Sequence, residues 1–210
     1  MKRVEWPRLS RELVAILRGL KPEEAPGVVT ALLEAGFEAI EVPLNSPEPF
    51  RSIEIARGLA PDKVLIGAGT VLTVEEVDRL RDAGGNLLVS PNVEPAVIER
   101  AAGYGMVTMP GVFTPTEALA ALRAGASALK FFPASVLGPS GIKAIRAVLP
   151  PDVPVGAVGG VSESDFAAYY AVGVRTFGLG SSLYKPGASA AEVAQKARAA
   201  VAAYDDVFGR

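Results

Sequence analysis

Residues 64–89 read VLIGAGTVLTVEEVDRLRDAGGNLLV, and three patterns follow one another there. The first, VLIGAG, is an almost unbroken apolar run, as a strand covered on both faces requires. The second, EEVDRLRDAGG, repeats apolar residues at helical spacing and stops on Gly84, a residue type that tolerates the left-handed conformation at a helix end. The third, LLVSP from Leu87, is apolar again. Strand, helix and strand in that order make one unit of a parallel sheet.

The unit recurs in both directions. Further apolar segments begin at Val14 (VAILR), Ala39 (AIEVPL), Met106 (MVTMPG), Ser127 (SALKFFP), Pro154 (PVGAVGG) and Arg175 (RTFGLG), and the eight starts are spaced by 23 residues on average. Amphipathic stretches such as GVVTALLEAG, PAVIERAAGYG, EALAALRAGA and SDFAAYYAVGV lie between them, several reaching a glycine (Gly36, Gly125, Gly173). Eight units in 210 residues predict an α/β architecture, a closed (β/α)8 TIM barrel near its lower size limit, filling residues 1–210 as one domain. An open doubly wound sheet fits less well. No Gly-x-Gly-x-x-Gly follows the first strand, and eight open strands would leave two edges to protect. Residues 1–13 read as a lead-in helix and residues 189–204 as the eighth helix.

Half of the residues are hydrophobic, and 21 basic against 23 acidic side chains leave a net charge of −2. That balance gives no electrostatic footprint for nucleic acid or an anionic membrane. The N-terminal MKRVEWP is charged but no apolar signal core follows it, and no apolar run nears the ~18 residues of a membrane span. A soluble cytoplasmic protein is expected. Cysteine and histidine are both absent, which excludes disulfides, thiolate nucleophiles, His-ligated metals and Ser–His catalysis. Chemistry falls to Lys, Arg, Glu, Asp, Ser, Thr, Tyr or the backbone, with no metal or cofactor expected.

A barrel of this kind works at the carboxyl-terminal ends of its strands, so charged residues inside strand segments are informative. Arg18 closes the first segment, Glu41 lies within the second and Lys130 within the sixth. Arg175 stands at the entry of the eighth, on the opposite rim, where a stability role is expected. By alternation Ile40, Val42 and Leu44 form an aliphatic face for the helices, which turns Ala39, Glu41 and Pro43 inward. Likewise Leu129 and Phe131 face the helices while Ala128, Lys130 and Phe132 face the interior. Burial strips hydration from an ammonium and lowers its pKa, and a neutral amine attacks a ketone to form a Schiff base. A lysine snorkelling from the strand end, or one paired structurally with Glu41, is the plainer alternative.

Two glycine-rich turns complete the candidate site. Val158-Gly159-Gly160-Val161 follows the seventh strand and Gly178-Leu179-Gly180-Ser181-Ser182 the eighth, where barrels often grip phosphate through bare backbone N–H groups. Gly67-Ala68-Gly69-Thr70 offers a further N–H and a hydroxyl, or a plain tight turn. Ser90-Pro91-Asn92 and Met109-Pro110-Gly111 read first as rigid turns and second as pocket wall.

These motifs together, Ala15-Ile16-Leu17-Arg18-Gly19, Ile40-Glu41-Val42-Pro43-Leu44-Asn45-Ser46-Pro47, Ile66-Gly67-Ala68-Gly69-Thr70-Val71-Leu72, Ser90-Pro91-Asn92, Leu129-Lys130-Phe131-Phe132-Pro133 and Val158-Gly159-Gly160-Val161, resemble the class I 2-keto-3-deoxy-6-phosphogluconate/galactonate aldolases. The likeness runs in the same order from about Leu13 to Tyr204. It implies that Lys130 is the Schiff-base lysine and that Glu41 shuttles protons through a bound water. It implies that Thr70 and Arg18 hold the pyruvyl carboxylate, and that Gly159, Gly160, Gly180 and Ser181 hold the distal phosphate, with Pro91 and Phe132 as wall. A homotrimer is implied too.

The gluconate-type branch carries Glu-Val-Thr-Leu-Arg-Thr on strand two. This chain has Glu41-Val42-Pro43-Leu44-Asn45-Ser46 and an arginine at Arg18, as in the galactonate-type branch. The implied reaction is cleavage of 2-dehydro-3-deoxy-6-phosphogalactonate to pyruvate and glyceraldehyde 3-phosphate. The gluconate epimer, or 4-hydroxy-2-oxoglutarate, is the alternative substrate. Two other classes remain: a sugar-phosphate isomerase or epimerase, against which the missing histidine counts, and a non-catalytic binder of a phosphorylated metabolite.

Overall fold

The computed structural model describes residues 3–210. Nine strands, all parallel, are β1 (Leu13–Ile16), β2 (Ala39–Pro43), β3 (Leu65–Gly69), β4 (Leu87–Val89), β5 (Val107–Met109), β6 (Gly111–Val112), β7 (Leu129–Phe131), β8 (Val155–Val158) and β9 (Thr176–Leu179). Their order is β5-β4-β3-β2-β1-β9-β8-β7-β6. Helices α1 (Ala25–Ala35), α2 (Pro49–Leu59), α3 (Val74–Asp82), α4 (Pro95–Gly103), α5 (Pro115–Arg123), α6 (Ala134–Arg146), α7 (Phe166–Tyr170) and α8 (Ala190–Phe208) alternate with them. The (β/α)8 TIM-barrel architecture read from the spacing is the one observed, with its fifth strand in two pieces.

Pro110 divides that strand because it has no N–H to give to a ladder. The amino-terminal piece, β5, pairs with β4, and the carboxyl-terminal piece, β6, with β7. Across the join, Ala128 N–H donates to Thr108 O (3.0 Å), Lys130 N–H to Pro110 O (2.9 Å) and Phe132 N–H to Val112 O (3.1 Å). The split segment thus shuts the ring. Side chains reinforce the seam: Thr108 N–H donates to Ser127 Oγ at 3.0 Å, and Ser127 N–H to Thr108 Oγ1 at 3.1 Å.

Alternation sorts the strand residues onto two faces. Leu13, Ala15, Ile40, Val42, Leu129 and Phe131 belong to the outer core beneath the helices, whereas Val14, Ala39, Leu65, Leu87, Val107, Met109 and Ala128 fill the barrel. Several helix starts are set locally. Thr73 with Glu76, Thr114 with Glu117 and Ser189 with Glu192 form reciprocal capping boxes at α3, α5 and α8.

Two terminal expectations need correction. Residues 3–12 form no lead-in helix; residues 1 and 2 lie outside the described residues. Instead Leu9 joins the barrel-filling cluster, and Val4 and Trp6 pack against it. The amino-terminal mouth leaves apolar interior side chains in need of cover. An extended segment supplies that cover by putting alternate residues on one face, and Pro7 falls within it. Helix α8 outruns residue 204 because Phe208 stacks on Tyr204 (centroids 4.0 Å apart) and extends the aromatic cluster of Phe166 and Phe177. Among the described residues, no helix is long and apolar enough to cross a membrane.

Candidate active site

The two charged strand residues stand where alternation places them. Glu41 on β2 is 3% exposed and Lys130 on β7 is 6% exposed. Glu41 is in register with Ile16 and Gly67, and Lys130 with Gly111 and Gly156. Three of those four neighbours lack a side chain, which leaves space beside both charges. The Lys130 Nζ lies 4.9 Å from the centroid of the Phe132 ring. Gly69 abuts the Glu41 carboxyl group so closely that a Cβ there would overlap both oxygens. Glu41 Oε2 is buried and, among the described residues, has no hydrogen-bond partner.

Burial dominates the electrostatics of the pair. It pushes the Glu41 carboxyl up to about 7, against the opposing pull of the Lys130 and Arg18 charges. It pushes the Lys130 ammonium down to about 8; Glu41 resists that shift and Arg18 adds to it. Among the described residues the two form no ion pair, so the plain structural pairing is absent. A buried carboxyl oxygen left without a donor is costly for stability. Such cost concentrates at sites that do chemistry.

A cavity of about 510 Å³ opens at the carboxyl-terminal ends of β1, β7, β8 and β9, and neither Glu41 nor Lys130 is itself in its lining. Ile16, the register partner of Glu41, lines it, as does Phe132, two residues beyond Lys130. Of the residues expected to bind substrate, Arg18, Phe132, Gly159, Gly160, Gly180 and Ser181 line this cavity. Thr70 and Pro91 stand on the same rim, after β3 and β4, outside its lining. Pro91 packs its carbonyl where a Cβ of Gly111 would fall, which fits the rigid-turn reading. Thr70 has φ +58, a left-handed backbone that is strained for a β-branched residue.

The glycine turns are shaped for an anion. Gly159 and Gly160 take φ +92 and +72 in succession, and a Cβ on Gly160 would meet Ser135 Oγ at 2.5 Å. Among the described residues, the Gly160 and Ser181 N–H groups have no acceptor. Ser182 Oγ donates to Val161 O at 3.2 Å and ties the two turns together. A concave pair of bare N–H groups is a ready anion cradle.

Asn45 and Lys185 take parts that were not foreseen. Arg18 donates to Asn45 Oδ1 at 2.7 Å, so the guanidinium is held from the loop after β2. Lys185 lines the cavity beside the glycine turns. It is fixed between Tyr184, a buried side chain whose hydroxyl donates to Glu24 at 3.1 Å, and Pro186, which rests on the backbone of Gly19. The only hint in the sequence is Tyr-Lys-Pro-Gly (184–187) directly after the glycine turn, a cation on a constrained loop. Among the described residues, no group of three or more Asp and Glu side chains is placed to hold a metal ion.

A family model described as "KDPG and KHG aldolase" matches residues 8–203. The chain is 71% identical to a protein of Rhizobium meliloti (strain 1021) named "Probable 2-dehydro-3-deoxy-6-phosphogalactonate aldolase", over 100% of this chain and 99% of the relative. It is 52% identical to the "2-dehydro-3-deoxy-6-phosphogalactonate aldolase" of Escherichia coli (strain K12), over 91% and 94% of the two chains. A solved structure titled "Native KDPGal structure" superposes with a TM-score of 0.95 at 49% identity, covering 98% of this chain and 100% of that one.

Proposed function

The chain belongs to the KDPG and KHG aldolase family, and from that membership we propose that it cleaves 2-dehydro-3-deoxy-6-phosphogalactonate by a metal-independent Schiff-base route. The observation that carries this reading is a buried lysine and a buried glutamate turned into one barrel interior, where burial lowers the pKa of the amine and raises that of the carboxyl. In that pair one group is suited to add to a ketone and the other to carry protons in either direction near neutral pH.

The neutral Lys130 Nζ adds to the C2 carbonyl, and loss of water gives a cationic imine. A base takes the proton of the C4 hydroxyl. The C4–O bond becomes a carbonyl as the C3–C4 bond breaks, and its electron pair moves into a C2–C3 enamine. Glyceraldehyde 3-phosphate leaves. A proton returns to C3, water adds to the imine carbon, and pyruvate departs with the amine restored. Glu41 carries the protons in this scheme. With no other carboxyl or imidazole among the buried residues, it is the group able to do so.

Arg18, steadied by Asn45, and Thr70 hold the pyruvyl carboxylate, with Pro91 and Phe132 as wall. Gly159, Gly160, Gly180 and Ser181 hold the phosphate, and Lys185 supplies a countercharge. The phosphate lies remote from the broken bond, so its binding energy positions the reacting carbons. The branch assignment rests on Arg18 in place of an arginine at position 45, where the chain has asparagine.

Borohydride trapping with labelled pyruvate tests the nucleophile. Wild type should be labelled on Lys130 and Lys130→Ala should not; label on the variant removes Lys130 from this role. Coupled pyruvate release from the two C4 epimers tests the branch. A ratio favouring the gluconate form overturns the substrate and leaves the mechanism standing. We also propose a homotrimer in the cytoplasm. Leu72 in the loop after β3, Phe113 in the loop after β6 and Val136 in the first turn of α6 are 46%, 38% and 72% exposed at one rim, apolar surface suited to a subunit contact. Light scattering on the purified chain reads the mass.

A further inference from the structure

A second cavity, of about 340 Å³, opens at the opposite, amino-terminal end of the barrel. It lies between the N-terminal segment and the turns that lead into β8 and β9. Arg8, Arg146 and Arg175 line it, and among the described residues none of the three has a carboxylate within ion-pair distance. Arg146 is pinned in place. It donates to Gly173 O at 2.7 Å, and its guanidinium carbon would lie 3.0 Å from a Cβ on Gly173, where only a glycine fits. Arg175 rests over the Tyr170 and Phe208 rings, at 5.4 and 5.9 Å.

Glu12 and Asp152 share the lining, so three guanidiniums stand against two carboxylates and one positive charge is in excess. Glu12 is occupied as acceptor for the Thr176 hydroxyl at 2.5 Å, and Asp152 is exposed. Trp6 adds a second and independent observation. Its indole Nε1 is buried and, among the described residues, has no acceptor, although Trp6 lines the cavity. Buried donors without acceptors are rare in folded proteins. Two guanidiniums in one concavity, Arg146 held by Gly173 O and Arg175 by two rings, suit a small group rich in anionic oxygens.

We propose that this cavity is a binding site, separate from the aldolase centre, for a small phosphorylated metabolite whose phosphate oxygens accept from Arg146 and Arg175, beside Trp6. The site is joined to the other end of the barrel through two short strands. β8 runs from Val155, in this lining, to Val158, in the lining of the active cavity, and β9 runs from beside Arg175 to beside Gly180. Three residue steps along a strand cover about 10 Å. Occupancy therefore braces the strands that carry the phosphate turns, and ligand binding to the folded form alone raises its melting temperature.

Trp6 is the only tryptophan in the chain, so its emission reports this cavity and not the active site. Pyrophosphate and glycerol 3-phosphate should each change that emission saturably, beyond potassium chloride at matched ionic strength, and should raise the melting temperature. Arg175→Gln should raise the half-saturating concentration at least about tenfold, the worth of one charge-assisted contact. Arg146→Gln should do the same, but Arg175→Gln decides the matter if loss of the Gly173 contact unfolds the former. A flat titration with both probes at concentrations of several millimolar overturns the proposal, as does an unshifted midpoint in Arg175→Gln. Saturation by citrate but by neither phosphate probe overturns the ligand class.

Discussion

Gly180→Ala adds one methyl group to the turn after β9 and meets no protein atom. A Cβ built there has nothing within 4 Å, and the backbone is outside the left-handed region. The fold should therefore tolerate the change, with a melting temperature equal to wild type or slightly higher, because alanine narrows the unfolded ensemble by up to ~1 kcal/mol. Gly180 lines the active cavity beside Ser181, so the added methyl group takes up room next to where the phosphate is proposed to sit. Losing one or two charge-assisted hydrogen bonds there removes roughly 1.5–3 kcal/mol. At 1.4 kcal/mol per tenfold, kcat/KM for the phosphorylated substrate should fall by about 10- to 150-fold.

Coupled pyruvate release measures that loss, and borohydride trapping with pyruvate alone measures the chemistry that precedes it. Trapping should be unchanged, since pyruvate carries no phosphate. The neighbouring Gly160→Ala would not discriminate in this way, because its positive φ and its contact with Ser135 would distort the turn itself. An unchanged kcat/KM for Gly180→Ala would refute the phosphate assignment. An equal loss in trapping would show that the turn acts on the amine and not on the substrate's distal end.

Glu41→Gln should retain trapping but lower turnover at least ~100-fold, the lower bound typical of acid–base catalysis; near-normal turnover would make Glu41 structural. Gly69→Ala should imitate that loss without touching a charged residue, because the added Cβ displaces the Glu41 carboxyl group; a crystal structure of the variant with Glu41 unmoved would contradict it. The rate of imine formation with pyruvate should rise with pH through about 8, as Lys130 loses its proton, and stopped trapping across pH 6–10 reads it (a range of about two units either side). The same shifts set the pH dependence of stability. Glu41, raised from 4.5 to about 7, binds its proton more tightly when folded, so its contribution falls as pH rises between those values. Lys130, lowered from 10.5 to about 8, binds its proton less tightly when folded, so its contribution grows with pH across that interval. Denaturant titrations of wild type against Lys130→Met should show the second slope vanish.

Strand and helix positions were legible from the chain alone, because hydrophobic periodicity is a local property. The two-residue repeat in AIEVPL and SALKFFP put Glu41 and Lys130 inside the barrel, and glycine spacing located two bare turns at neighbouring strand ends. What could not be read in one dimension depended on residues distant in sequence meeting in space. Closure through both halves of a strand broken at Pro110, the seating of Tyr184 on Glu24 that presents Lys185, and the fit of the Glu41 carboxyl against Gly69 are of this kind. So is the plug of Val4, Trp6 and Leu9 beneath the barrel, where a helix had been expected. Local pattern encodes which face a side chain takes. Which groups then share a dry cavity, and so which of them lose water and change their proton affinity, is settled when the barrel closes.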